Sequence, residues 1–409
     1  MSQKSDKRVW AQIDLDAVAE NMRIINKILD GKSKLMAIVK ADAYGHGAEF
    51  VARELAERGV DFFGVASLDE AVYLRETGIT QKILILGYTY PSEENIKKLI
   101  KYNITQTVFD FYYVKIISKQ AVIYGGNITV HIKIDTGMNR LGFKYTSKNK
   151  DENIIAKIKK IKKSDNIICE GIFTHFAAAD EKKSDFTREQ FELFCEVIES
   201  LEKENIFFEV KHAANSAATI NFRETHLDYV RCGLILYGLY PSEETRENLE
   251  FELMPVMQLK TIVSQVHQIK KGETISYGRT YSQNKKDITA ATLPIGYADG
   301  FSRLMSNSGS VVIDGKKASV IGRVCMDQSM IDVTDIIING KKNIQAGDVV
   351  TIFGYNKNNK KDKNNKKIEE YISVEQFADL MGTINYEVVC LISKRVPRIF
   401  YKNDVEIPK

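Results

Sequence analysis

Eight apolar runs occupy the first part of this chain, and most are separated by segments of helical spacing. They cover residues 35–40, 62–66, 83–86, 105–109, 128–135, 168–176, 207–212 and 229–237. The spacers are amphipathic, as in Ile154, Ile155, Ile158 and Ile161 set among lysines. A continuous apolar run without alternation reads as a strand buried on both faces, the kind found in parallel sheets. Strand and helix alternating eight times over about 240 residues match a closed (β/α)8 barrel. An open doubly wound sheet is the alternative, but no GxGxxG follows a strand here. Beyond Pro255 the texture changes to short β-rich runs at 257–266, 274–277, 288–294, 310–313, 318–323, 330–333 and 348–353. Lys271-Gly272, Asp314-Gly315 and Asn339-Gly340 mark turns between them. One helix is expected over 374–380, capped by Ser373 with Gln376 three residues on. The fold expected is therefore an N-terminal barrel over 1–250 and a mostly-β domain over 251–409.

The first run ends in a lysine: Leu35-Met36-Ala37-Ile38-Val39-Lys40-Ala41-Asp42-Ala43-Tyr44-Gly45-His46-Gly47-Ala48. A strand buried on both faces rarely carries a charge without a partner. The plain reading is that Lys40 sits past the strand end and reaches water. The chemical reading is a desolvated lysine at the carboxyl end of a barrel strand, where active sites gather. Such an amine titrates low and can join a carbonyl.

Charge and cysteine usage narrow the class. The net charge of +4 could suggest nucleic acid, but the tract 356–367 alone holds six lysines against one aspartate, a net +5, so the rest of the chain stands at −1. The tract is low-complexity and reads as a solvated surface loop. No apolar run reaches membrane-spanning length, and the polar start leads into no signal-peptide core. The five cysteines are scattered, with no CxxC pair. Neither a disulfide framework nor a zinc site follows, and a cytoplasmic protein without a metal centre, nucleic-acid partner or membrane partner is expected.

Further stretches carry polar groups where an apolar strand would not need them. His131-Ile132-Lys133-Ile134-Asp135 puts three polar side chains on one strand face, with Arg140 beyond a glycine turn as a ready counter-ion. His175 closes Gly171-Ile172-Phe173-Thr174-His175. His212-Ala213-Ala214-Asn215-Ser216 opens a helix, either as a simple cap or as an anion site. Arg231 stands in the near-continuous apolar run 229–237, so it must meet acceptors; Gly233 follows it. In the second domain, tyrosines sit beside glycines in Ser276-Tyr277-Gly278-Arg279-Thr280-Tyr281 and Gly296-Tyr297. Glycine-flanked tyrosines commonly pack turns, but a tyrosine, with a pKa of about 10 in water, serves as a base when cations lower it. A lysine, two anion-type sites, a buried arginine and such tyrosines together suit pyridoxal 5'-phosphate: aldehyde to Lys40, phosphate to the Ser216 and Gly233 region, ring nitrogen to a strand residue.

The stretch Val39-Lys40-Ala41-Asp42-Ala43-Tyr44-Gly45-His46-Gly47 resembles the pyridoxal-phosphate signature of the bacterial alanine racemase family. The likeness runs from Ile13-Asp14-Leu15-Asp16 to Arg395-Val396-Pro397-Arg398, with motifs in the family's order. It implies a homodimer in which each active site lies between one subunit's barrel and the other's β domain. It implies that Lys40 holds the cofactor and acts as one base, and that Tyr277 of the partner subunit is the opposed base. Arg231 would meet the pyridine nitrogen, and His175 would lie against the ring and link Arg231 with Tyr277. Tyr44, Ser216, Tyr386 and the backbone of Gly233 and Leu234 would hold the phosphate, with Asn215 beside them. Arg140 would reach the cofactor's phenolic oxygen and, with the Met326 N–H, the substrate carboxylate. Lys133 matches an often carbamylated lysine that positions Arg140; His212 and Asp327 would stand behind these groups. Asp180, Tyr281, Tyr297, Arg303, Arg323 and Ile384 match residues of the substrate entrance. Gln12 stands where glutamate is usual, Asn139 where glycine is usual, and the tract 356–367 is an insertion.

The implied activity is interconversion of L- and D-alanine for peptidoglycan synthesis. A racemase of serine or another small amino acid is the nearest alternative. A basic amino-acid decarboxylase would place a carboxylate, not Arg231, at the ring nitrogen. A non-catalytic pyridoxal-phosphate-binding barrel would lack the β domain and Tyr277. A cofactor-free barrel enzyme would show no absorbance from a lysine-bound cofactor.

Overall fold

The computed structural model describes residues 6–181, 185–282, 286–339, 343–354 and 371–408. The lysine-rich tract 356–367, expected to form a surface loop, lies outside the described residues. The chain divides into two compact units, Val18–Met254 and a second unit of the segment up to Ala17 with Pro255–Lys409.

The first unit is a closed barrel of eight parallel strands. They are Lys34–Ile38, Phe62–Val65, Lys82–Ile85, Thr105–Val108, Ile128–Asp135, Ile167–Phe173, Val210–His212 and Tyr229–Cys232. Each pairs with its neighbours in sequence, and the last closes on the first, with Tyr229 opposite Lys34 and Arg231 opposite Met36. Every expected run holds a strand. Apolar side chains on both strand faces are buried because one face lines the barrel and the other meets the helices, as with Ile83, Leu84 and Ile85, all fully buried. The helices carry the expected stop and start signals. Asp110 caps Phe111–Tyr124 by accepting from the Tyr113 N–H, and Gly125 ends that helix at φ 70°. In Ile154–Lys162 the buried positions are Ile154, Ile158 and Ile161, one face of the helix.

The second unit is mostly strand. A seven-stranded sheet runs Lys316–Ser319, Ser310–Ile313, Val349–Phe353, Met257–Ile262, Val9–Asp14, Arg398–Lys402, Val405–Ile407. A three-stranded sheet holds Gln265–Ile269, Ile288–Leu293 and Ser329–Asp332, and a two-stranded hairpin pairs Thr274–Ile275 with Tyr281–Ser282. The helix Val374–Met381 starts at Ser373 with both arms of its capping box made, as its sequence requires. The N-terminal segment corrects the expected division. Val9–Asp14 does not join the barrel: it pairs antiparallel with Met257–Ile262 and parallel with Arg398–Lys402. An apolar strand carries no local mark of the sheet it will enter, so only its place in the chain associates the segment before Val18 with the barrel. Among the described residues no helix is long and apolar enough to cross a membrane.

Gln12 finds its role in this sheet. Lys260, buried on the adjacent strand, donates to Gln12 Oε1 at 2.9 Å. Burial pushes this lysine down to about 8 from its ordinary 10.5. The folded state therefore binds the proton less tightly than the unfolded chain. That penalty is present in full below pH 8 and disappears as pH rises toward 10.5, so wild-type stability should rise across that interval, by up to about 3 kcal/mol. Gln12→Glu supplies a counter-charge and should flatten the rise. Urea unfolding of both proteins at the two ends of the interval checks this; parallel pH dependences would contradict it.

Candidate active site

Lys40 lies two residues beyond the strand Lys34–Ile38 and is half-buried. The chain after it turns the wrong way for L-residues. Ala41, Asp42, Ala43 and Tyr44 all have φ of 51–54°, a left-handed turn. Each such residue costs roughly 1–2 kcal/mol, so the surroundings must hold it. Glu70 does much of this: one carboxylate oxygen accepts from the Ala41 N–H and the other from the Ala66 N–H, both at 2.7 Å. Asp42 Oδ1 accepts from the Ala48 N–H at 2.7 Å, and the Asp42 carbonyl accepts from the Gly47 N–H at 2.9 Å. Gly45 and Gly47, at φ 78° and 95°, release the chain into the helix Ala48–Glu57.

The turn brings Tyr44 back beneath Lys40. The Lys40 ammonium is 6.0 Å from the Tyr44 ring centre. That ring lies 5.0 Å from Tyr237, whose hydroxyl donates to the Ile38 carbonyl at 2.8 Å. Tyr44 Oη sits against Gly233, where a Cβ would come within 2.5 Å of it. Ser216 Oγ accepts from the Gly233 N–H at 3.0 Å. Three groups expected to meet a phosphate therefore converge on one spot. Leu234, beside them, is buried at the start of a short 3-10 turn. Asn215 spends its side chain as the helix cap, accepting from the Ala218 N–H at 3.0 Å.

Cations crowd the same end of the barrel. Arg231 is almost fully buried and is met on several sides. It donates to the carbonyls of Thr174 and Ala213 at 2.8 Å, to His212 Nδ1 at 2.8 Å and to His175 Nδ1 at 3.1 Å. Its Nε–H makes no bond among the described residues, so that donor of a buried cation is left for a ligand. Loss of solvation, then the charge of Arg231, holds His175 well below the ordinary histidine range. Lys133 is buried too. Desolvation, then Arg140 and Arg231, pushes it down to about 8.

Asp135 does not pair with Arg140, the counter-ion expected for that strand face. Asp135 Oδ1 instead accepts from the N–H groups of Gly137 and Asn139, at 3.1 and 2.9 Å. Asn139 has φ 55°, a conformation asparagine tolerates best after glycine, so it takes the place where glycine is usual without unmaking the turn. Arg140 is exposed and makes no ion pair among the described residues; its charge repels that of Lys133. Asp180 is also exposed, its carbonyl held by Ser242 Oγ at 2.9 Å.

The second unit carries the remaining candidates. Tyr277 is 71 % exposed in a short turn after the hairpin strand Thr274–Ile275. It lines a cavity of about 590 Å³ together with Met326 and Asp327. Met326 is itself half-exposed, and Asp327 accepts from Arg395 at 2.7 Å. Tyr297 is tied by its N–H to the Cys325 carbonyl at 3.0 Å. Arg303 and Arg323 line a second recess, and Ile384 is exposed. Tyr281 and Tyr386 are half-buried, in the hairpin and in the helix Asn385–Cys390.

Sequence reading missed Glu70 and Tyr237. Glu70 follows Ser67 by three residues, the spacing of an ordinary capping box, and that pattern hides its second task. Tyr237 closes an apolar run and looks like core. The fit at Gly233 is testable. Gly233→Ala forces Tyr44 to move and should cost about 1–3 kcal/mol in urea unfolding. Adding Tyr44→Phe, which removes Oη, should recover part of that loss; no recovery would contradict the contact.

Comparison with known proteins agrees with this geometry. The family model "alanine racemase, N-terminal domain" matches residues 13–241, and "alanine racemase, C-terminal domain" matches 256–400. An alanine racemase of Methanococcus maripaludis is 46% identical over 392 residues, which cover 96% of this chain and 98% of the relative. The solved alanine racemase of Clostridium difficile 630 superposes with a TM-score of 0.88 at 37% identity, covering 99% of this chain and 98% of the other. A histidine racemase of Leuconostoc mesenteroides subsp. sake superposes with a TM-score of 0.84 at 28% identity, covering 98% and 100%. By both of its domains and along nearly its whole length, the chain belongs to the alanine racemase family.

Proposed function

We propose that this racemase interconverts L- and D-alanine with pyridoxal 5'-phosphate, using Lys40 and Tyr277 of the partner subunit as opposed bases. The observation that carries the reading is Arg231, a buried guanidinium with its Nε–H unspent, at the barrel end where Lys40, Tyr44, Ser216 and Gly233 also gather. Tyr44 Oη and Ser216 Oγ suit a phosphate, Lys40 an aldehyde, and the Arg231 Nε–H an unprotonated ring nitrogen. Tyr386 would complete the phosphate grip.

Bound pyridoxal phosphate supplies an electron sink that acidifies the Cα–H of an attached amino acid. Lys40 Nζ moves the proton at one face of Cα, and Tyr277 Oη moves it at the other. Inversion needs two such groups, because a single base returns the proton to the face it left. Arg231 is a cation, so it keeps the ring nitrogen unprotonated and the sink weak. That disfavours the transamination a carboxylate partner would promote. His175 joins Arg231 to the tyrosine. Arg140 and the Met326 N–H hold the substrate carboxylate and fix Cα between the bases. Lys133 carries the same sign as Arg140, yet its lowered titration leaves a neutral fraction that can add carbon dioxide. The resulting carbamate would turn repulsion into the pairing that positions Arg140.

A homodimer fits the exposure of Tyr277 and Met326, which a second subunit's barrel would cover. Asp180, Tyr281, Tyr297, Arg303, Arg323 and Ile384 would frame the entrance, with Asp327 bracing Met326. A cytoplasmic supply of D-alanine for peptidoglycan fits five cysteines that form no disulfide. Serine remains the second reading. The likeness to a histidine racemase indicates that this architecture admits other side chains.

Racemisation assays across the L-amino acids with chiral product analysis decide the substrate. Alanine should be turned over fastest, and a faster serine reaction would overturn the assignment. Lys40→Ala should lose both the visible band of bound cofactor and all activity. Tyr277→Phe should keep the band and lose racemisation in both directions by about a hundredfold or more, with solvent hydrogen exchange at Cα surviving for one enantiomer of alanine far better than for the other. Full L-alanine activity in that variant would remove Tyr277 as a base.

A further inference from the structure

Beneath Arg231 a chain of side chains crosses the barrel interior. Arg231 Nη1 is 2.8 Å from His212 Nδ1, and His212 Nε2 is 2.9 Å from His131 Nδ1. His131 Nε2 is 3.0 Å from Glu170 Oε2, and Glu170 Oε1 is 2.5 Å from Lys82 Nζ at the exposed end. His131 and His212 are fully buried. Phe173 stacks on His212 at 4.6 Å, and Phe62 meets His131 edge-on at 5.6 Å, so apolar rings flank the links. Glycine at 171 makes room: a Cβ there would come within 2.5 Å of the His131 ring.

The proton positions in this chain have one solution. Arginine only donates, so His212 Nδ1 accepts and His212 Nε2 carries the hydrogen. It donates to His131 Nδ1, which leaves the His131 hydrogen on Nε2, facing Glu170. An ionised carboxylate only accepts, so the far end demands the same order. Burial lowers His131 and His212, leaving both neutral. Burial works against ionisation of Glu170, but hydrogen bonds from His131 and Lys82 outweigh it and hold the carboxyl at about 2. Desolvation brings Arg231 to about 9, still a cation at neutral pH.

We propose that Glu170 is a positioning residue for the racemase reaction, fixing through His131 and His212 the orientation in which Arg231 meets the cofactor's ring nitrogen. The inference rests on the function proposed above. Without the carboxylate, His131 can carry its hydrogen on Nδ1. His212 then turns a hydrogen toward Arg231, two donors face each other, and the guanidinium loses one of its holds. Lys82 keeps the distal carboxylate ionised. Residues with no contact to cofactor or substrate would thus set the group that keeps the reaction a racemisation.

The test compares wild-type, Glu170→Gln and Glu170→Asp holoenzymes in alanine racemisation and in keto-acid formation. Histidine side-chain 15N resonances of the full-length protein are recorded alongside. The six histidines make those spectra assignable. Glu170→Gln should lower kcat about tenfold with KM within about twofold, as loss of an outer-shell partner does. Keto acid should rise relative to racemised product, and His131 and His212 should lose their single Nε2–H tautomers. Glu170→Asp should restore most of the rate and the tautomers. Unchanged kcat, keto-acid ratio and tautomers in Glu170→Gln would overturn the proposal. So would a wild-type spectrum with the hydrogen on Nδ1 of His131, a result that needs no variant to fold. A wild-type protein without racemase activity would instead overturn the function above, while the tautomer spectra still report on the relay.

Discussion

A guanidinium buried inside a barrel is the constraint around which this molecule is built. Removing the charge from water is costly unless its donors meet good acceptors. Arg231 finds them on neighbouring strands: the carbonyl of Thr174 after one strand, His212 and the carbonyl of Ala213 at the end of the next. Those bonds gather three strand ends at the face where Lys40 emerges. They also draw His212, His131 and Glu170 into line behind Arg231. Phe173 stacks on His212 and lies 5.3 Å below the Arg231 guanidinium, so the charge is shielded from water without being left unpaired.

Strain is the second device. Four left-handed residues follow Lys40, and glycine supplies none of them. Glu70 clamps the backbone at both sides of the turn, and Asp42 ties it to the helix beyond. The outcome is a tyrosine folded back under the lysine four residues before it, against a glycine that has no Cβ to obstruct it. Sequence adjacency here becomes a shared site only because the backbone accepts a conformation that L-residues avoid.

The barrel was legible because parallel strands buried on both faces cannot alternate, so each appears as an apolar run with a helix after it. The Ser373 cap was legible because its chemistry is local. Val9–Asp14 was not, since strand pairing between positions about 250 residues apart leaves no trace in either segment. The polar strand face was half legible. His131, Lys133 and Asp135 do point where partners are needed, yet Asp135 goes to its own turn. His131 goes to His212 and Glu170, from two other strands. Side-chain pairing across a barrel depends on register, which no single run discloses. Of the two proposed bases, Lys40 was half legible from its place at the end of an apolar run, whereas Tyr277 was legible only through a family likeness, because nothing local distinguishes it from other turn tyrosines.

The proposed chemistry depends on the charge of Arg231, and exchanging it for a carboxylate tests that charge most directly. In Arg231→Glu holoenzyme, racemised alanine and keto acid are measured in the same reaction. The account predicts racemisation lower by about a hundredfold or more, with keto acid appearing as the ring nitrogen becomes protonated. Wild-type racemisation with no keto acid would contradict it.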